Sequence, residues 1–192
     1  MDILSLIAAA GGAASGITGV AGLVGKAAGI LRGGAVTDDG FIRAYYLEVT
    51  KNLQVLEATD IKGLRKKDFR SPAFRALVGS LETEMAVTLF CSDREKLKRV
   101  WNFLEEGLDF ETRDEEGENP AAITQKVNVL KAAWFTVQKL EFLKTLAAFE
   151  SGDTFGKNFY LDVRIGNINE CLTKIHQKLE ENEAITGVIG VV

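Results

Sequence analysis

MDILSLIAAAGGAASGITGVAGLVGKAAGILRGGAV, residues 1–36, holds nine of the chain's 19 glycines, and from Ile3 to Gly25 it runs for 23 residues without a charge. As a helix that run would extend roughly 35 Å at about 1.5 Å per residue, enough to cross a hydrocarbon core of about 30 Å. Alanine and glycine dominate it, a composition better suited to packing against copies of itself than to facing lipid all round. Gly12–Gly16 and Gly25–Gly29–Gly33 are steps of four, and Gly16, Gly19, Gly22 and Gly25 are linked by threes. Small residues at such spacings let helix backbones approach closely inside a membrane. At about 100° per residue, Gly12, Gly16 and Gly19 gather on one side, and Gly22, Gly25, Gly29 and Gly33 gather roughly 100° away. A two-helix seam uses one cluster. A ring uses both, because each helix then touches two neighbours. The segment is predicted to be a transmembrane or pore-lining helix of an assembly with more than two subunits.

Other readings of the same stretch are weaker. A secretory signal peptide calls for a basic start, where this chain has Asp2. A soluble glycine-rich appendage and a single-span anchor do not account for both glycine clusters. Lys26, Arg32 and Arg43 follow the apolar run, so the positive-inside rule leaves the rest of the chain in the cytoplasm. Two cysteines, Cys91 and Cys171, with no CxxC pair, point away from a disulfide framework and from a structural zinc site. A single histidine, His176, excludes a multi-histidine metal centre. No cofactor is indicated. Of the net charge of −4, the first 36 residues carry +1 and the remainder −5, which disfavours non-specific RNA binding and direct DNA binding.

Three regions follow: a glycine-rich membrane and oligomerisation helix over 1–36, a cytosolic bundle over 37–183 and an apolar tail over 184–192. In the bundle, Asp38–Asp39 can cap a helix carrying FIRAYYLEVTKNLQVLEATDI, with Tyr46, Val49, Leu53 and Leu56 on one face. KGLRKKDFR reads as a basic loop. Ser71–Pro72 starts a helix through AFRALVGSLETEMAVTLF. Ser92 and Glu95 form a capping box ahead of KLKRVWNFLEEGL, and FETRDEEGE is a solvated loop. A long helix is predicted from Ala121 to about Glu150, with Ile123, Val127, Leu130, Trp134 and Val137 as one stripe and Phe135, Phe142 and Phe149 as another. Two stripes imply neighbours on two sides, or a partner chain on one. The last helix, from about Asn158 to Glu181, carries Ile168, Leu172, Ile175 and Leu179. No segment alternates convincingly with period two, so the predicted fold is all-α, an up-and-down bundle. The tail, AITGVIGVV, could cover a bundle end, touch lipid or stay disordered.

One candidate chemical pair emerges. Asn169 and His176 are separated by nearly two helical turns, on one flank at the edge of the apolar stripe, with Thr173 between them. An imidazole beside a polar partner can act as general acid or base in RNA cleavage by the 2′-hydroxyl. A histidine making one structural hydrogen bond at a helix border fits the same spacing.

The helical pattern together with NECLTKIH, Asn169 to His176, resembles the HEPN family, whose last helix carries an arginine or asparagine followed at short spacing by histidine. That resemblance implies a dimer-forming bundle, in many members an RNA-cleaving one. Asparagine stands here where the commonest pattern has arginine, so the chain is read as a non-enzymatic member. A glycine-rich membrane segment joined to a divergent HEPN-like bundle resembles the small membrane accessory proteins of type VI-B CRISPR systems. This implies a homo-oligomeric pore in the bacterial inner membrane. Its partner would be an RNA-guided CRISPR effector or that effector's RNA products, and it would strengthen antiphage defence by dissipating membrane potential. Two alternatives stay open: a membrane-tethered HEPN ribonuclease using His176, and a stand-alone abortive-infection pore toxin.

Overall fold

Residues 37–61, 69–107, 109–114, 123–148 and 161–189 are described by a computed structural model; residues 1–36, with all seven glycines of the expected seam, lie outside them. Helix α1 spans Asp38–Glu57. Thr37, not the expected Asp38–Asp39, caps it, its hydroxyl accepting the Gly40 N–H at 3.1 Å; Asp38 and Asp39 lie one step inside, in the first turn, where the helix dipole favours acidic side chains. Helix α2 spans Pro72–Ser80, with the Ser71 hydroxyl accepting the Phe74 N–H at 3.2 Å and Pro72 in the first turn, as the Ser-Pro pair implies.

The single helix expected through Ala73–Phe90 is instead two. After α2 the chain turns extended at Leu81 (φ −84°, ψ 127°) and resumes as α3, Glu84–Cys91. The break is made by α1: the Asn52 side chain holds both main-chain groups of Glu82, donating to its carbonyl at 2.7 Å and accepting its N–H at 2.8 Å. The Ser92–Glu95 capping box does not form either. Ser92 closes α3, and the next helix, α4, begins only at Lys98 and runs to Glu105. The Glu95 N–H is taken instead by Asp93 Oδ1 at 3.2 Å.

The described residues are predominantly helical, as the all-α expectation has it, with one short hairpin besides. Strand β1, Phe110–Asp114, pairs antiparallel with β2, Ile123–Val127, in the register Phe110↔Val127 to Asp114↔Ile123. Phe110–Asp114, read as part of a solvated loop, and Ile123–Val127, read as the first turns of a long helix, are therefore strands. The helix, α5, spans Val129–Ala148, started by Asn128 Oδ1 accepting the Lys131 N–H at 2.8 Å. Of its expected stripes, Val137 is buried and Leu130 and Trp134 are half-buried, whereas Ile123 and Val127 belong to β2. The other stripe is less enclosed among the described residues. Phe142 is 42% exposed with the Arg164 guanidinium 5.1 Å from its ring centre, and Lys131 stands 5.5 Å from the centre of Phe135. Phe149 lies outside the described residues.

Helix α6, Leu161–Glu180, packs against both α1 and α5 and sets Ile165, Ile168, Leu172, Ile175 and Leu179 into one core shared with Phe41, Val49, Leu104 and Leu140. Helix α7, Glu183–Ile189, folds back on α1. Ala184 and Ile185, read from sequence as the start of an apolar tail, are buried in that core, and the Ala184 carbonyl accepts from Arg43 Nε at 3.1 Å. The tail's beginning thus covers a bundle end.

Gly107, just after α4, sits where α5 begins. A Cβ there would stand 2.5 Å from Val129 Cγ2 and 2.9 Å from Val129 Cβ. Gly107→Ala is expected to lower stability by about 1–3 kcal/mol, as overpacking does. An unchanged thermal midpoint would show that this corner is slacker than described.

Candidate functional site

Asn169, Thr173 and His176 share one flank of α6, half-buried at the border of the core, as wheel arithmetic implies. They do not converge on one point, since seven residues of helix separate Asn169 and His176 by about 10 Å along the axis. Each meets a different part of α1, which runs antiparallel to α6. The His176 ring lies 4.8 Å from the Tyr46 ring at an interplanar angle of 30°. Its Nδ1 is 3.6 Å from Glu180 Oε2 one turn on, and the Tyr46 hydroxyl makes a long hydrogen bond of 3.5 Å to Glu180 Oε1. The imidazole is thus held by an aromatic face and a carboxylate together, with its side chain 20% exposed.

Asn169 looks the other way along the flank. It borders an open groove at the C-terminal end of α1, lined by Leu53, Leu56, Glu57, Asp60 and Ile61. Thr173 is committed to its own helix, its hydroxyl donating to the Asn169 carbonyl at 2.8 Å. The two motif residues are thus neighbours on a helix face without forming a joint site.

The larger polar assembly was not visible in the sequence analysis. It lies on the opposite side of α1, where α1, α3 and α5 meet. Glu48, 6% exposed, accepts the main-chain N–H groups of Met85 at 2.6 Å and Ala86 at 3.1 Å, the first turn of α3. Asn52, one turn further along α1 and 1% exposed, grips Glu82 as described above. Lys51 pairs with the Glu82 carboxylate. Thr83 occupies the N-cap position of α3 but does not cap it. Its hydroxyl donates to Glu141 Oε1 at 2.9 Å and accepts from Lys144 Nζ at 3.0 Å, and Lys144 also bonds Glu141 at 3.0 Å. Glu48 does the capping in place of Thr83, from another helix.

Burial raises the Glu48 carboxyl first and most. The two amides pull it back, Glu82 and Glu84 repel its charge, and it settles at about 7. Tyr45, on the same helix, is pushed well above the ordinary phenol value by burial and then by the neighbouring Glu48 charge. A signal for this node did exist in the sequence. Glu48 and Asn52 continue the series Phe41, Tyr45 and Leu56 at helical spacing, so two polar residues stand on the face that turns out to be buried. Of the expected stripe, Val49 and Leu56 are buried, while Tyr46 and Leu53 are only half-buried.

Among the described residues no group of three His, Cys, Asp or Glu side chains is placed to hold a metal ion, and no helix is long and apolar enough to cross a membrane. No protein family, curated protein or solved structure matches the chain.

Proposed function

We propose that this chain is a membrane-associated, self-assembling accessory protein. In this reading its glycine-rich segment, residues 1–36, packs into a pore of more than two subunits in the bacterial inner membrane, while a HEPN-like helical body stays in the cytoplasm. The observation that carries the reading is the 23-residue uncharged run with glycines in two helical clusters. The body supplies a second support. Helix α7, which leads to the apolar residues at the C-terminus, packs on the first half of α1, the helix that residues 1–36 lead into. The resemblance to membrane accessory proteins of type VI-B CRISPR systems adds the physiological side: reinforcement of an RNA-guided effector against phage, through loss of membrane potential. No observation on the flank of α6 favours a nuclease reading. His176 and Asn169 do not meet, and His176 is engaged by Tyr46 and Glu180.

The test is the oligomeric mass of the detergent-extracted full chain, together with ion leak from vesicles that contain it. Gly29→Leu places a bulky side chain in the second glycine cluster and is expected to abolish both the assembly and the leak. An intact oligomer and an intact leak in Gly29→Leu would overturn the seam, and a monomeric parent chain would overturn the whole reading. Leak from the chain alone would mark a stand-alone toxin, whereas leak that requires an activated RNA-guided effector would mark an accessory.

A further inference from the structure

Among the described residues two large apolar side chains are exposed, Leu47 at 67% and Phe142 at 42%. Single exposed apolar residues are ordinary on a protein surface, and it is their placement that sets these two apart. On the α1 wheel Leu47 lies opposite the buried series Phe41, Tyr45 and Val49, so it faces out of the core. Phe142 lies on α5 in one stripe with half-buried Phe135, on the side away from buried Leu140. Helices α1 and α5 scarcely touch, while each packs on both α3 and α6. The two therefore stand across the core from each other, and Leu47 and Phe142 lie on different sides of the body. The cations beside Leu47 are engaged within the body: Arg43 Nε donates to the Ala184 carbonyl, and Lys51 pairs with Glu82.

We propose that the bodies of neighbouring subunits meet head to tail, the Leu47 face of one copy against the Phe142 face of the next. The inference rests on the assembly of residues 1–36 proposed above and adds a second interface to it. A closed ring needs two different faces per subunit, whereas a two-fold dimer uses one face twice. The glycine segment ends close to the first of these faces. Its last seam glycine, Gly33, is five residues from Asp38, at most about 18 Å of chain. With seam helices spaced by roughly 8–10 Å, the starts of α1 in neighbouring copies are held within roughly 45 Å. A body of this size is about 40 Å across, so neighbouring bodies come within reach of contact. A contact between one leucine and a short phenylalanine stripe is too small to hold free bodies together. Tethered subunits meet at an effective concentration on the order of millimolar, where a weak apolar contact suffices to order them. The occupant that fits is therefore a second copy of this chain, held alongside by the membrane segment.

Crosslinking of the full chain in vesicles tests the contact. In a Cys91→Ser background, which removes the exposed thiol and leaves the buried Cys171, Leu47→Cys and Phe142→Cys are made singly and together. With a short bismaleimide, whose reach tolerates imprecise alignment, the double variant is expected to give covalent trimers and longer chains. Their yield is expected to be roughly tenfold or more above that of either single variant, as neighbours held at a high effective concentration require. Each single variant is expected to run as a monomer on a denaturing gel, because in a head-to-tail ring the same position recurs only a body width away. Covalent dimers from either single variant would put a two-fold face in place of the head-to-tail one and overturn the proposal. An uncrosslinked double variant whose detergent-extracted mass is still oligomeric would overturn it too, while leaving the glycine seam standing. A monomeric parent chain would remove the seam and this contact together.

Discussion

Phe41→Ala is expected to lower the unfolding free energy by about 3–5 kcal/mol, the range found when a buried phenylalanine is cut back to alanine. Phe41 is 0% exposed in the first turns of α1, and its ring lies 6.1 Å from that of Tyr45, itself 1% exposed. Truncation removes the ring's transfer energy and leaves a cavity that its surroundings close only in part. The position also has functional weight, because this end of the body is where residues 1–36 join and where α7 docks. Chemical denaturation followed by helical circular dichroism provides the measurement. A loss below about 1 kcal/mol, far under the range for such truncations, would show that the start of α1 is not enclosed as described.

Asn52→Ala is expected to cost about 2–3 kcal/mol, from two lost hydrogen bonds and the part-buried main-chain groups left without partners. Asn52 donates to the Glu82 carbonyl and accepts the Glu82 N–H, so its removal orphans one acceptor and one donor together. The same two bonds hold the extended residues between α2 and α3. The variant is therefore also expected to expose the 81–83 connection to limited proteolysis before the rest of the body unfolds. Equal protease resistance in parent and variant would mean that Glu48 and Thr83 suffice to hold the junction. Asn52→Asp keeps the acceptor but sets a carboxylate oxygen against the Glu82 carbonyl and adds a buried charge near Glu48, so it is expected to cost at least as much as Asn52→Ala.

The sequence made some features legible and left others hidden, and the difference has a consistent cause. Helices α1, α5 and α6 were readable because their apolar residues recur every three to four positions, and α2 because Ser71–Pro72 is a local start signal. The break at Leu81–Thr83 was not readable. It is held by Asn52, 30 residues earlier, and nothing within Ala73–Phe90 demands it. The hairpin was missed because Ile123 and Val127 also fit the stripe of the following helix, and four-residue spacing alone does not say whether a short apolar stretch pairs or coils. The Asn169–His176 flank was correctly placed at the edge of the core, but helical spacing said nothing of Tyr46 or Glu180, which hold the histidine.

What the chain determines by itself is its periodicity and its punctuation: the uncharged glycine-rich segment, the acidic helical body, the helix start at Ser71–Pro72, and the apolar faces of α5 and α6. Tertiary structure alone decided that Glu48 and Asn52 go inside and that α3 is a separate helix. Periodicity and caps depend on neighbours a few residues away, and they are written locally. A polar side chain enters a core only where another segment offers hydrogen bonds in place of water, and for Glu48 those donors lie 37 and 38 residues further along the chain.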